Sequence, residues 1–161
     1  MFRVGMGFDI HRLAKGRPLF LGGEAIPYPL GLEGHSDADV LVHALMDAML
    51  GAAGLRDIGH YFPPGDPRYC NISSLELLGE VKKLVAGKGY RLVNADMVVI
   101  AEAPRLAPHV EKMKKNIARI LEVSEGALAV KATTAEGLGP CGCGEAIAAQ
   151  AVVLLQARSP E

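Results

Sequence analysis

The sequence has almost no net charge to offer a polyanion: 17 lysines and arginines stand against 18 aspartates and glutamates in 161 residues, a formal charge of -1. That balance argues against a broad nucleic-acid or anionic-membrane surface and leaves room for a local phosphate pocket, so the expected partner is a small molecule. Cysteine is scarce as well. Cys70, Cys141 and Cys143 are an odd number without a paired CxxC framework, which argues against a disulfide scaffold and makes Cys141-Gly142-Cys143 a packed turn rather than a metal knuckle. No apolar run is long enough to cross a bilayer, and Met1-Phe2-Arg3 leads into a strand without a basic-then-apolar leader, so the expected location is cytoplasmic. No linker or internal repeat divides residues 1–161. Half of them are hydrophobic, enough for one domain with a substantial core.

Two polar islands interrupt this apolar background: Gly7-Phe8-Asp9-Ile10-His11, and His35-Ser36-Asp37-Ala38-Asp39 leading to His43. Residues 4–11 read as a buried strand, on which Asp9 and His11, two apart, share a face. Residues 37–54 read as a helix. Leu41, Leu45, Ala48 and Ala52 recur at helical spacing there, and His43 falls on the face opposite most of them. One carboxylate and two imidazoles suit zinc, and three protein ligands leave a fourth position for water or substrate. A lone histidine is usually not a ligand, and spacing alone does not bring His43 to the strand. Asp39 has a structural reading, because Ser36 and Asp39 fit a capping box at a helix start. Asp47, on the same helical face as Asp39 and His43, is either a carboxylate accepting a ring proton of His43 or a solvated side chain.

The remaining order is hairpin, helices and strands, a mixed α/β pattern. Residues 19–21 and 25–27 flank a Gly22-Gly23-Glu24 turn; Ser73 and Ser74 open a helix that runs towards Gly87. Residues 92–101 and 128–134 read as strands, separated by a basic amphipathic helix that follows Pro104 and Pro108 and ends near Leu121. Residues 146–155 are apolar at nearly every position except Gln150. A strand there would be apolar on both faces, one for the helices and one for a partner subunit, with a buried helix as the alternative. Before it lies a glycine-rich loop carrying Thr133, Thr134 and Glu136. Glycines expose amides to phosphate oxygens, and a single carboxylate suits Mg²⁺ shared with a diphosphate; neither a Walker P-loop nor a Rossmann fingerprint is present. Asp57-Ile58-Gly59 and Phe62-Pro63-Pro64-Gly65-Asp66 form a further polar turn region, and His35-Ser36 offers amides at a helix start.

These motifs, with His43-Ala44-Leu45, Ala101-Glu102-Ala103-Pro104 and Lys131-Ala132-Thr133-Thr134-Ala135-Glu136, stand in the order and spacing of the 2-C-methyl-D-erythritol 2,4-cyclodiphosphate synthase family, which the chain resembles over essentially its whole length. The resemblance implies a two-layer domain, a mixed sheet packed on helices, assembled as a homotrimer with active sites between neighbours. It implies conversion of a cytidine diphosphate ester of methylerythritol 2-phosphate to a cyclic diphosphate with release of CMP, in the non-mevalonate route to isoprenoids. By resemblance Asp9, His11 and His43 bind Zn²⁺ or a similar divalent ion and Glu136 binds Mg²⁺ or Mn²⁺. His35 and Thr134 stabilise the transition state. Substrate contacts fall on Asp9, Ile10, His11, His35, Ser36, Asp57, Ile58, Gly59, Phe62, Pro63, Pro64, Gly65 and Asp66, and on Ala101, Glu102, Ala103, Pro104, Arg105, Leu106, Ala107, Thr133, Thr134, Ala135 and Glu136. The family often has an aromatic residue and an arginine in the loop after its glutamate, where this chain has Pro140 and Cys143; Cys143 has no charge to hold an isoprenoid diphosphate. Two other classes use part of the same set: a metal-dependent phosphohydrolase, and a non-catalytic trimeric metal- or nucleotide-binding module.

Overall fold

The computed structural model describes residues 1–158. In chain order it contains β1 (Phe2–Ala14), a hairpin of β2 (Leu19–Leu21) and β3 (Glu24–Ile26), β4 (Gly31–Leu32), α1 (Val40–Ala52), α2 (Ile58–Tyr61), α3 (Ser74–Gly87), β5 (Tyr90–Ile100), α4 (Val110–Leu121), β6 (Leu128–Thr133), α5 (Gly139–Gly142) and β7 (Ala146–Ala157). Five strands form one sheet in the order β4-β1-β7-β5-β6. Only β5 and β6 run parallel, joined by the crossover that carries α4; β7 pairs antiparallel with β1 on one side and β5 on the other. The last apolar segment is therefore the middle strand, and the alternative of a buried helix is excluded. In the hairpin, Gly22 and Gly23 both have positive φ (59° and 70°), the conformation a two-residue turn requires and glycine adopts without penalty.

Helices cover one face of the sheet. Leu41, Leu45, Met49, Leu78, Val81, Met113 and Ile117 pack against Ala95, Met97, Val99, Ala149, Val153 and Leu155 to form the main core. α1 is buried at every position except Asp47 and Gly51, so His43 does not lie on a polar outer face as its spacing suggests; it is itself buried. The other face of the sheet differs from expectation too. Alternation turns Phe2, Val4, Met6, Phe8 and Ile10 of β1 away from the helices, and these side chains are 41–73% exposed, so the strand read as buried has one open apolar side. On β7 the chain covers part of this face itself: Ala148 is buried against Cys141, Ala146, Ile100 and Ala135, and Val152 joins the exposed patch. Among the described residues no helix is long and apolar enough to cross a membrane.

Candidate metal and phosphate site

Small residues bring the polar islands together. Gly5 and Gly7 share the helix-facing side of β1 with Asp9 and His11, and α1 lies directly on them: a Cβ on Gly5 would stand 2.0 Å from the Ala48 carbonyl oxygen, and one on Gly7 1.9 Å from that of Ala44. Ala44, Ala48 and Ala52 recur every four residues and give α1 a low ridge for this contact. His43, beside Ala44, then reaches over the next residue of the same strand face. Its Nδ1 is 3.0 Å from Asp9 Oδ2, and His11 Nε2 is 2.9 Å from the same oxygen. The ligand atoms of the three residues lie within 4.8 Å of one another.

The start of α1 is capped one residue set later than the capping box implies. Asp39, not Ser36, is the N-cap: its carboxylate accepts the Val42 amide and reaches back to the Gly22 and Gly23 amides of the hairpin at 3.0 and 2.7 Å. Burial, and then the neighbouring Asp37, push the Asp39 pKa up. The structural reading of Asp39 holds, and its partners lie on a distant turn that spacing does not reveal. Asp47 does not approach a ring nitrogen of His43; it accepts the Ile58 amide at 2.8 Å and so ties α2 to α1.

The outer ring nitrogens fix the tautomers. His11 Nδ1 meets the Glu33 carbonyl, which only accepts, so that nitrogen carries the proton and Nε2 turns a lone pair inward. His43 Nε2 lies 3.0 Å from Ser74 Oγ and 3.2 Å from Ser36 Oγ. Ser74 spends its hydroxyl proton on the Asp37 carboxylate, so it accepts from His43, and Nδ1 is the inward lone pair. Two imidazole lone pairs thus converge on one carboxylate oxygen with no donor among them. Such an acceptor set requires a proton or a cation, and a three-ligand N/N/O set with both outer nitrogens held fits a divalent metal. Burial raises the Asp9 carboxyl pKa, but when protons rather than a metal sit between the rings and the carboxylate, the hydrogen bonds that His11 and His43 then donate outweigh it and hold the group well below the carboxylate range. Burial lowers the His11 pKa, and the Asp9 carboxylate reverses this to a net upward shift.

The cluster forms one wall of a cavity of about 260 Å³ that also includes His35, Ser36, Ile58, Gly59, Phe62 and Pro64. Tyr69 and Leu77 complete the wall, and neither stands out in the sequence, because an apolar residue lining a pocket looks like any core residue. His35 Nε2 donates to the Asp66 carbonyl at 2.8 Å, which anchors the turn carrying Phe62 and Pro64. Asp57 caps α2 by accepting the His60 amide, the Asp66 carboxylate pairs with exposed Arg68 at 2.7 Å, and neither residue is among those lining the cavity. Ile10 projects from the open sheet face, opposite Asp9 and His11.

The second half of the expected site is elsewhere in the same chain. A cavity of about 390 Å³ is bounded by the 101–107 segment, which turns through a cis Ala103–Pro104 peptide, and by Thr133 and Thr134. Pairing places Ile10, Ala148, Ile100 and Thr133 in one row across the sheet. Three strand spacings, about 14 Å, therefore separate the end of β6 from the metal cluster. Neither Thr134 nor Glu136 lines the cavity of Asp9, His11 and His43.

Comparison with known proteins gives the family and the fold. The model of the YgbB family matches residues 2–156. The 2-C-methyl-D-erythritol 2,4-cyclodiphosphate synthase of Moorella thermoacetica is 60% identical over 153 residues, 95% of this chain and 94% of that protein. A solved 2C-methyl-D-erythritol-2,4-cyclodiphosphate synthase in its CDP-bound form superimposes with a TM-score of 0.88 at 40% identity, over 96% of this chain and 100% of the other. The bifunctional IspDF of Campylobacter jejuni gives a TM-score of 0.94 at 43% identity over 98% of this chain, which spans 42% of that larger enzyme. The chain belongs to the YgbB family, that of the 2-C-methyl-D-erythritol 2,4-cyclodiphosphate synthases.

Proposed function

We propose that the chain converts 4-diphosphocytidyl-2-C-methyl-D-erythritol 2-phosphate to 2-C-methyl-D-erythritol 2,4-cyclodiphosphate and CMP, within isoprenoid biosynthesis. An oxygen of the 2-phosphate bonds to the β-phosphorus while the bond from that phosphorus to the CMP oxygen breaks, and CMP leaves with the electron pair. Both reactants are parts of one molecule, so alignment and charge neutralisation supply most of the catalysis and no protein nucleophile is needed. The observation that carries this reading is the convergence of Asp9, His11 and His43 beside the His35-Ser36 turn, in a chain matched to the family over residues 2–156.

Asp9, His11 and His43 would hold Zn²⁺ and Glu136 Mg²⁺ or Mn²⁺; bound there, such cations supply Lewis-acid neutralisation of phosphate charge. His35 and Thr134 stabilise the charge that grows on the transferring phosphate, with Ser36 beside it. Asp57, Ile58 and Gly59, extended by the turn from Phe62 to Asp66, surround the methylerythritol. The 101–107 segment with Thr133 holds the cytidine through backbone groups left free by small side chains. His43→Ala is expected to remove tightly bound metal and turnover together while folding survives, because two remaining ligands leave the ion underbound. Full activity after verified metal removal would reject the assignment.

The working unit we infer is a homotrimer. Its support is the separation of the two cavities by three strand spacings and the open apolar face of β1; in such a trimer the Glu136 loop of one subunit would meet the metal cluster of the next.

A further inference from the structure

We propose that Glu102 is a positioning residue that locks the turn carrying Glu136, so that the Glu136 carboxylate is presented to its divalent cation. This rests on the reading of Glu136 as a Mg²⁺ or Mn²⁺ ligand. Glu136 has φ 52°, in the left-handed region that a side-chain-bearing residue occupies only when its surroundings hold it there. The amides on either side of it supply the hold. Ala135 N–H donates to Glu102 Oε1 at 2.8 Å, and Gly137 N–H points to the same oxygen at 3.5 Å. Behind the turn, Gly142 lies flat on Gly137, where an added Cβ would come within 2.3 Å of backbone. Within it, Thr134 Oγ1 donates to Glu136 Oε1 at 2.8 Å, and Oε2 stays outside these bonds.

Glu102 follows β5 and Glu136 follows β6, neighbouring parallel strands. One carboxylate therefore ties the segment read as the cytidine pocket to the turn read as the diphosphate cation site. Its work is done as a hydrogen-bond acceptor, which glutamine's amide oxygen reproduces and alanine does not. Exposed Glu102 contributes nothing to the core, so its removal leaves the fold intact. A competing role is that of a placeholder, in which the carboxylate occupies an amide nest that a substrate phosphate later takes.

The test is Mn²⁺ binding followed by electron paramagnetic resonance in the presence of CDP, with zinc content and steady-state kinetics measured on the same samples of Glu102→Ala, Glu102→Gln and Glu136→Gln. Glu102→Ala is expected to weaken Mn²⁺ binding about tenfold with zinc content unchanged, and excess Mn²⁺ to restore part of kcat. Glu102→Gln keeps Mn²⁺ affinity within about threefold of that of the parent protein. Parent-like Mn²⁺ affinity in Glu102→Ala, beside its loss in Glu136→Gln, would overturn the role of Glu102 and leave Glu136 as the ligand. Unchanged affinity in Glu136→Gln would overturn the underlying reading of Glu136. A lower KM with unaltered Mn²⁺ binding in Glu102→Ala would identify the placeholder instead, and Glu102→Gln as weak as Glu102→Ala would make Glu102 a charged ligand; either result overturns the positioning role.

Discussion

Gly7→Ala tests the way the fold delivers His43 to the strand. The new methyl carbon would sit 1.9 Å from the Ala44 carbonyl oxygen and 2.8 Å from the Ala48 amide nitrogen, where ordinary contact begins near 3.4 Å. Both obstacles are backbone of α1, so no rotamer relieves the clash and the helix itself must retreat by about 1.5 Å, well beyond the roughly 0.2 Å tolerance of metal–ligand distances. The gap between His43 Nδ1 and Asp9 Oδ2, 3.0 Å, opens with it. Overpacking of this kind costs about 1–3 kcal/mol of stability. Displacing a ligand outright is expected to exceed the roughly 10–100-fold loss of affinity that follows removal of a partner behind a ligand. Zinc affinity by competition with a chelating indicator and the thermal midpoint are the readouts. Gly51→Ala is the control: nothing lies within 4 Å of its Cβ position on the same helix, and alanine there is expected to add about 0.5–1 kcal/mol through helix propensity. Parent-like zinc affinity in Gly7→Ala would refute the claim that glycine spacing sets the metal geometry.

Ser74→Ala removes the hydroxyl that accepts from His43 Nε2 and is expected to lower zinc affinity about 10–100-fold with little change in fold, as read by chelator competition and circular dichroism. Zinc stabilisation should grow with pH. In the metal-free protein the raised His11 pKa gives stability that is complete below its ordinary value of 6.5 and lost as pH rises through the raised one, while the lowered Asp9 pKa gives stability that is complete above its ordinary value of 3.8 and lost only in stronger acid. Zinc needs deprotonated imidazole, so the gain in melting temperature on adding it is expected to rise between about pH 5 and 8; a flat or falling gain would contradict the ligand set. Light scattering should report a trimer, and mixing His43→Ala subunits with subunits defective in the 101–107 cavity should restore some activity in hybrid assemblies. A fully active monomer would refute shared sites.

Local patterns carried much of this architecture. The Gly22-Gly23 turn, the Ser73 cap of α3 and the alternation of Asp9 with His11 depend on neighbours within a few residues, and each has the form its spacing implies. The approach of His43 was also written in the chain, as Gly5 and Gly7 on the strand face and Ala44 and Ala48 on the helix, but it emerges only when the two rows are set against each other. Contacts between remote segments were not legible. Nothing in the local sequence says that Asp39 caps through the β2–β3 turn, that Ser74 and the Glu33 carbonyl fix the histidine tautomers, or that β7 inserts between β1 and β5. The open side of β1 was misread because an apolar strand looks the same whether its second face meets helices or a neighbouring molecule.

The central claim is the reaction itself, and its most direct test is phosphorus NMR of the products formed from 4-diphosphocytidyl-2-C-methyl-D-erythritol 2-phosphate with Zn²⁺ and Mg²⁺ present. The account requires CMP and the cyclic diphosphate in equal amounts, with both lost on chelation and restored by metal. A linear phosphate product would show that the Asp9, His11 and His43 site activates water instead, and no turnover with both metals bound would reduce the chain to a binding module.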